Sequence, residues 1–137
     1  MTRNALQQAR AIHELIARRL QNAEMAFGAS LKRLSALDAK IAELCIARAQ
    51  IVHLAEDASA FSSIESFRYG ARVNIEKLKK DRVETLNECE ALRVELGRLL
   101  RRKIAIDGVL SSIVEEHRRI KARAHSQTAH RGSPPVR

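Results

Sequence analysis

Aromatic side chains are scarce in this chain: its 137 residues hold no Trp, 1 Tyr and 3 Phe. A compact globular core is poorly supplied with bulk on that composition. Glycine and proline are thin as well, at 5 and 2, which argues against a sheet protein with many turns. The two cysteines, Cys45 and Cys89, have no CxxC spacing, so neither a zinc knuckle nor a disulfide framework is indicated, and reduced thiols are expected. No apolar run approaches the roughly 20 residues a membrane span requires. The opening Met1, Thr2, Arg3, Asn4 leads into polar helical sequence instead of an apolar signal-peptide core, so an intracellular, soluble chain is expected. Catalytic motifs are missing too: there is no GxxxxGK[ST] loop, no HExxH and no Gly-rich strand-to-helix turn. Gly28 and Ser30 lie inside a heptad stripe and read as ordinary helix interior. Nothing here points to an enzyme or to a bound cofactor.

What is abundant is heptad repetition. Steps of three and four from Leu6 reach Ala9, His13, Ile16, Leu20, Ala23, Phe27, Ser30, Leu34, Leu37, Ile41, Leu44, Arg48, Ile51 and Ala55. The same walk from Ile75 reaches Leu78, Arg82, Thr85, Cys89, Leu92, Leu96, Leu99, Lys103, Ile106, Leu110, Ile113, His117, Ile120 and Ala124. Two sustained a/d stripes with few polar breaks predict two long helices in an antiparallel coiled-coil hairpin, an all-α fold. Flanking Leu31, Cys45 and Val52 widen the first stripe, and Leu86, Leu100 and Val114 the second. The hairpin is expected over residues 1–125. Its turn is placed at about 57–70, where Ser59, Ser62, Ser63, Ser66 and Gly70 interrupt the pattern. Residues 126–137 cannot supply a core and read as a disordered basic tail.

Facing positions in an antiparallel pair sum to a constant. A sum of 133 sets Leu34 against Leu99, Leu37 against Leu96 and Leu20 against Ile113, with Ser30 meeting Lys103 and Arg48 meeting Thr85. The competing sum of 126 sets Arg82 against Leu44 and Lys103 against Ala23. The expectation is 133, because its polar breaks mostly meet small or polar neighbours. It also brings His13 and His117 into adjacent layers beside Glu14 and Glu116. Two imidazoles and a carboxylate could hold a metal, but polar a positions that specify the seam are the simpler reading, and no metal is assigned.

Charge is lopsided. The formal net charge is +9, residues 1–57 carrying +2 and residues 58–137 carrying +7. At a sum of 133 two basic belts form. Lys32 and Arg33 lie beside Arg98, Arg101, Arg102 and Lys103, and Arg18 and Arg19 lie beside Arg118, Arg119 and Lys121. Such belts are either a solvated helix surface or a docking face for an acidic cavity or phosphates. Nucleic acid lacks a recognised module or an aromatic stacking platform here. Phe61, Phe67, Tyr69 and Ile64 gather in the expected turn, as a plug for the hairpin end or as an exposed apolar tip.

A short, basic, aromatic-poor chain of this kind, with clusters such as Arg18-Arg19-Leu20 and Leu99-Leu100-Arg101-Arg102-Lys103, resembles the FliJ/YscO (SctO) family. These are the stalk proteins of flagellar and virulence-type type III secretion export machines. The resemblance covers about residues 5–125 and rests on length, heptads and charge, with no sharp motif. It implies a cytoplasmic, non-enzymatic rod whose open end enters a hexameric export ATPase ring, with further contacts to the export gate protein and to secretion chaperones. A monomer is expected, with dimerisation left open. The competing reading is a basic coiled-coil scaffold that binds nucleic acid or an anionic membrane surface.

Overall fold

The computed structural model describes the backbone of residues 2–51 and 58–131 and the side chains of residues 3–51 and 61–128. Every described residue is helical. Helix α1 spans Thr2–Ile51 and helix α2 spans Ala58–Arg131, and the two pack against each other as a helical hairpin. Long uninterrupted helices follow from the sequence: α1 contains one glycine and no proline, and α2 contains no proline. No helix among the described residues is long and apolar enough to cross a membrane.

Burial follows the heptad walk position by position. From Leu6 to Ile51 and from Ile75 to Ile113, every a and d residue is buried or half-buried. The stripe continues backwards from Ile75 through Ala71, Arg68 and Ile64, all at least half-buried. That corrects the expected turn at 57–70, since α2 already begins at Ala58. The serines misled because of where they point: Ser62, Ser63 and Ser66 are all exposed, so they cost the seam nothing. Residues 52–57, which join the helices, lie outside the described residues. At the other end α2 runs through Arg131, past the expected boundary at 125, and residues 132–137 of the expected tail lie outside the described residues.

The chain divides into two compact units, a terminal unit of Met1–Asn22 with Leu96–Arg137 and a central unit of Ala23–Glu95. In the terminal unit Ala9, Ile16 and Ile106 form a buried cluster with Leu110 and Ile113 packed against it. His13 Nε2 meets Asp107 Oδ1 at 3.0 Å. In the central unit Ser30 and Cys89 share a buried hydrogen bond of 2.9 Å between Oγ and Sγ. Arg33 donates to Glu88 at 3.3 Å, and Arg82 Nε donates to Asp38.

The facing positions in those pairs sum to between 119 and 121 in each unit, which fixes the a-to-d register at 119. Neither expected register, 133 or 126, is adopted. The heptad phase was right, and the slip is two whole heptads from 133. Two effects favour 119. A sum of 133 would set Leu6 against Gln127, whereas 119 sets Leu6 against Ile113 and Leu20 against Leu99. Leu20 and Leu99 are 7% and 2% exposed, so this layer is among the driest of the described residues. Burying one such leucine contributes about 2 kcal/mol. Several of the polar breaks are also served. Ser30 bonds Cys89, the Thr85 hydroxyl donates to the Asp81 carbonyl, Arg82 reaches Asp38, and His13 reaches Asp107. Polar seam residues that find partners in one register only are what distinguish it from its heptad-shifted rivals.

Candidate functional site

The new register redistributes the basic residues. The terminal unit holds fourteen Lys/Arg against four Asp/Glu, a net of +10, and the central unit holds eleven against twelve, a net of −1. The whole formal surplus of the chain therefore belongs to the unit that contains both termini. Splitting the sequence at the turn hides this, because the surplus is contributed by the start of α1 and the end of α2 together.

Within the central unit Arg33, Arg68, Arg82 and Arg93 are held in ion pairs. Arg33 pairs with Glu88 and Arg82 with Asp38 across the seam, and Arg68 pairs with Glu65 along α2. Arg93 holds Glu90 in a two-point contact of 2.6 and 3.0 Å. That hydrogen bond, aided by the charge of Arg93, lowers the Glu90 carboxyl below its ordinary value and raises the Arg93 guanidinium. The expected belt of Lys32, Arg33, Arg98, Arg101, Arg102 and Lys103 is thus split: Lys32 and Arg33 belong to the central unit and the other four to the terminal unit.

Inside the terminal unit the second expected belt is also redrawn. At a sum near 120, Arg18 and Arg19 lie level with Arg101 and Arg102, not with Arg118, Arg119 and Lys121. Arg19 and Arg102 line one groove. His13 and His117 likewise do not meet, because His13 faces Asp107 while His117 lies about 15 Å further along α2 by helix rise. No group of three or more His, Cys, Asp or Glu that could hold a metal occurs among the described residues.

Thr2, the first residue of α1, falls level with His117. Residues 118–128 of α2 accordingly have no described α1 residue opposite them, and all of them are exposed. Ile120, a d residue by the heptad walk, is 48% exposed. This stretch carries Arg118, Arg119, Lys121 and Arg123 with no acidic residue, and Arg119 leans back to Glu115 at 3.8 Å. Sequence reasoning named Arg118, Arg119 and Lys121 but placed them in a belt; it did not see them as a separate, unopposed helix end.

The aromatics do not plug the hairpin end. Phe61, Phe67 and Tyr69 are all exposed, and the Arg72 guanidinium lies over the Tyr69 ring, 5.8 Å from its centroid. Cys45 is exposed and Cys89 buried, both as free thiols. Compared with family models, curated proteins and solved structures, the chain matches none of them.

Proposed function

We propose that this chain is a non-enzymatic stalk or adaptor protein of a type III secretion export apparatus, acting in the cytoplasm by binding the export ATPase ring. One observation carries the reading: a net charge of +10 is confined to the terminal unit while the central unit is close to neutral. A hairpin that serves only as a spacer gains nothing from that division. A hairpin that must enter an acidic, ring-shaped cavity by its open end needs it, because a one-signed potential steers docking and sets orientation. The unopposed end of α2, with Arg118, Arg119, Lys121 and Arg123, is the part we assign to the deepest contact. Arg18, Arg19, Arg101, Arg102 and Lys103 form a second basic zone of the same unit, with Arg98 beside it in sequence. Export gate protein and secretion chaperones are further partners on this reading, and no individual residue is assigned to them.

The test is charge reversal of Arg118, Arg119, Lys121 and Arg123 to Glu in the full chain, assayed with a purified type III export ATPase. Slower association, steep weakening with salt and lost stimulation of ATP hydrolysis are expected, with the helical circular dichroism retained. An unchanged ATPase response would overturn the docking assignment. The acid-free α2 end also suits a polyanion, which is the observation behind the competing scaffold reading. In that case the same variant loses affinity for DNA or for anionic vesicles with a steep salt slope, and no ATPase responds to the wild-type chain.

A further inference from the structure

Along the terminal unit, one flank of the seam is not covered. Ile12, Leu15, Ile16 and Arg19 of α1 and Arg102, Ala105, Ile106 and Val109 of α2 line an open groove of about 400 Å³. Both sets have the spacing i, i+3, i+4, i+7, so each helix contributes one two-turn stripe, about 10 Å long by helix rise. Ile16 and Ile106 form the buried floor. Ile12, Leu15 and Val109 form the walls and are 48–49% exposed. In a finished two-helix seam the positions just before the a residues are usually charged, and they pair across the interface. Here they are apolar at Ile12 and Val109, and one heptad further on they are two arginines that face each other.

That arginine pair is the informative feature. Arg19 and Arg102 occupy flanking positions whose numbers sum to 121, as do Ile12 and Val109. Two like charges facing across a seam repel. Neither guanidinium has an ion-pair or hydrogen-bond partner among the described residues. The groove therefore ends in two uncompensated cations. Its other end approaches Glu116, the single carboxylate at the corresponding flank.

We infer that this groove is a docking site for an amphipathic helix of another protein, one whose apolar stripe is followed by acidic residues at one end. Two parallel i, i+3, i+4, i+7 rows are the complement of a third helix, whose own ridge of apolar residues settles between them. Carboxylates on that helix relieve the repulsion between Arg19 and Arg102 and fix its direction along the groove. A second copy of this chain docked groove to groove is a poor occupant by comparison, since it brings a unit of net charge +10 against another. The site goes beyond the ATPase reading: it shares Arg19 and Arg102 with the second basic zone of that reading, but its apolar floor and walls and its helical occupant are separate from the unopposed α2 end.

The probes are two synthetic 18-residue helical peptides that share one leucine stripe and differ only in having three Glu or three Lys at one end. Binding to the full chain is followed by fluorescence anisotropy. The Glu peptide is expected to bind and the Lys peptide to bind about tenfold more weakly. Leu15→Ser with Val109→Ser, both at exposed positions, should weaken the Glu peptide by at least about tenfold without changing the helical spectrum. Arg19→Glu with Arg102→Glu should reverse the preference towards the Lys peptide. Deletion of residues 118–137 should leave peptide binding intact, whatever it does to the ATPase response. Failure of the Glu peptide to bind, or equal affinity for the two peptides, would overturn the inference. So would a dimer in sedimentation equilibrium that dissociates in the Leu15→Ser/Val109→Ser chain, since the groove would then belong to a second copy.

Discussion

Replacing Ser30 by Cys should lock the hairpin with a disulfide that only the 119 register permits. Ser30 Oγ lies 2.9 Å from Cys89 Sγ in a buried layer, so a thiol at position 30 needs only a modest side-chain adjustment to reach bonding distance. The bond joins residues 59 apart in sequence. A closed loop of that length removes enough denatured-state entropy to stabilise the fold by about 4 kcal/mol in the chain-entropy treatment, less any strain the bond introduces. The variant is Ser30→Cys with Cys45→Ser, which leaves two thiols. Air or diamide oxidation should give a monomer 2 Da lighter by intact mass, running faster on a non-reducing gel, with a higher thermal midpoint that reverts on reduction (the mass loss is two hydrogens per bond). The wild-type chain provides the control. Under a sum of 133, Cys89 would face Leu44 beside Cys45, and the natural pair would oxidise readily. Under 119 the two cysteines lie about 22 Å apart along the seam by helix rise, so no intramolecular bond is expected. A Ser30→Cys/Cys45→Ser chain that stays reduced, together with ready Cys45–Cys89 oxidation in the wild type, would refute the register.

Three further outcomes are expected. Leu99→Ala empties a site that is 2% exposed and should cost about 3 kcal/mol in a urea unfolding experiment, whereas a loss below about 1 kcal/mol would mean that the layer is not packed as described. Gly108→Ala should stabilise the chain by about 0.5–1 kcal/mol in the same experiment, because the glycine is helical and an added Cβ meets nothing within 4 Å; destabilisation would contradict the open space around it. Glu90 has a lowered pKa through its bond to Arg93, so its small surface contribution is present at neutral pH and is lost as pH falls through that lowered value. Carboxyl chemical shifts should place its titration below that of ordinary glutamates and return it to their range in Arg93→Ala, and an unchanged titration in that variant would exclude the pair as the cause.

The sequence was informative about phase and silent about register. Leu6, Ala9, His13 and the later a and d residues as far as Ile51, and those from Ile75 to Ile113, could be assigned a buried side in advance, because period alone decides which face of a helix is apolar. Register could not be read the same way. Shifting one helix by seven residues restores the same apolar pattern, so Leu34 faces an acceptable residue at 133, 126 and 119 alike. The distinguishing contacts are Ser30 to Cys89, Arg82 to Asp38 and His13 to Asp107, each a long-range pair of ordinary polar residues. Ser62, Ser63 and Ser66 then displaced the turn, since composition alone does not separate serines that break a helix from serines on its outer face. The basic residues themselves could be named from the sequence. Their grouping failed with the register, and the groove beside Arg19 and Arg102 could not be seen until the register placed those two side chains level.

The facing arginines of the terminal unit also make its stability depend on ions in solution. Repulsion between Arg19 and Arg102, added to the surplus of the whole unit, raises the free energy of the closed helix pair by a few tenths of a kcal/mol for each close like pair. Counter-ions relieve this within a screening length of about 8 Å at physiological ionic strength, and a bound polyanion relieves it further. The central unit has Arg33–Glu88 and Arg82–Asp38 across its seam and gains nothing comparable from added anions. Amide hydrogen exchange should accordingly be faster at the seam positions of residues 96–113 than at those of residues 71–92, and sulfate should slow the first set selectively; equal protection in both, unmoved by sulfate, would rule this out. Anions thereby act on one unit as folding ligands, and leave the other almost untouched.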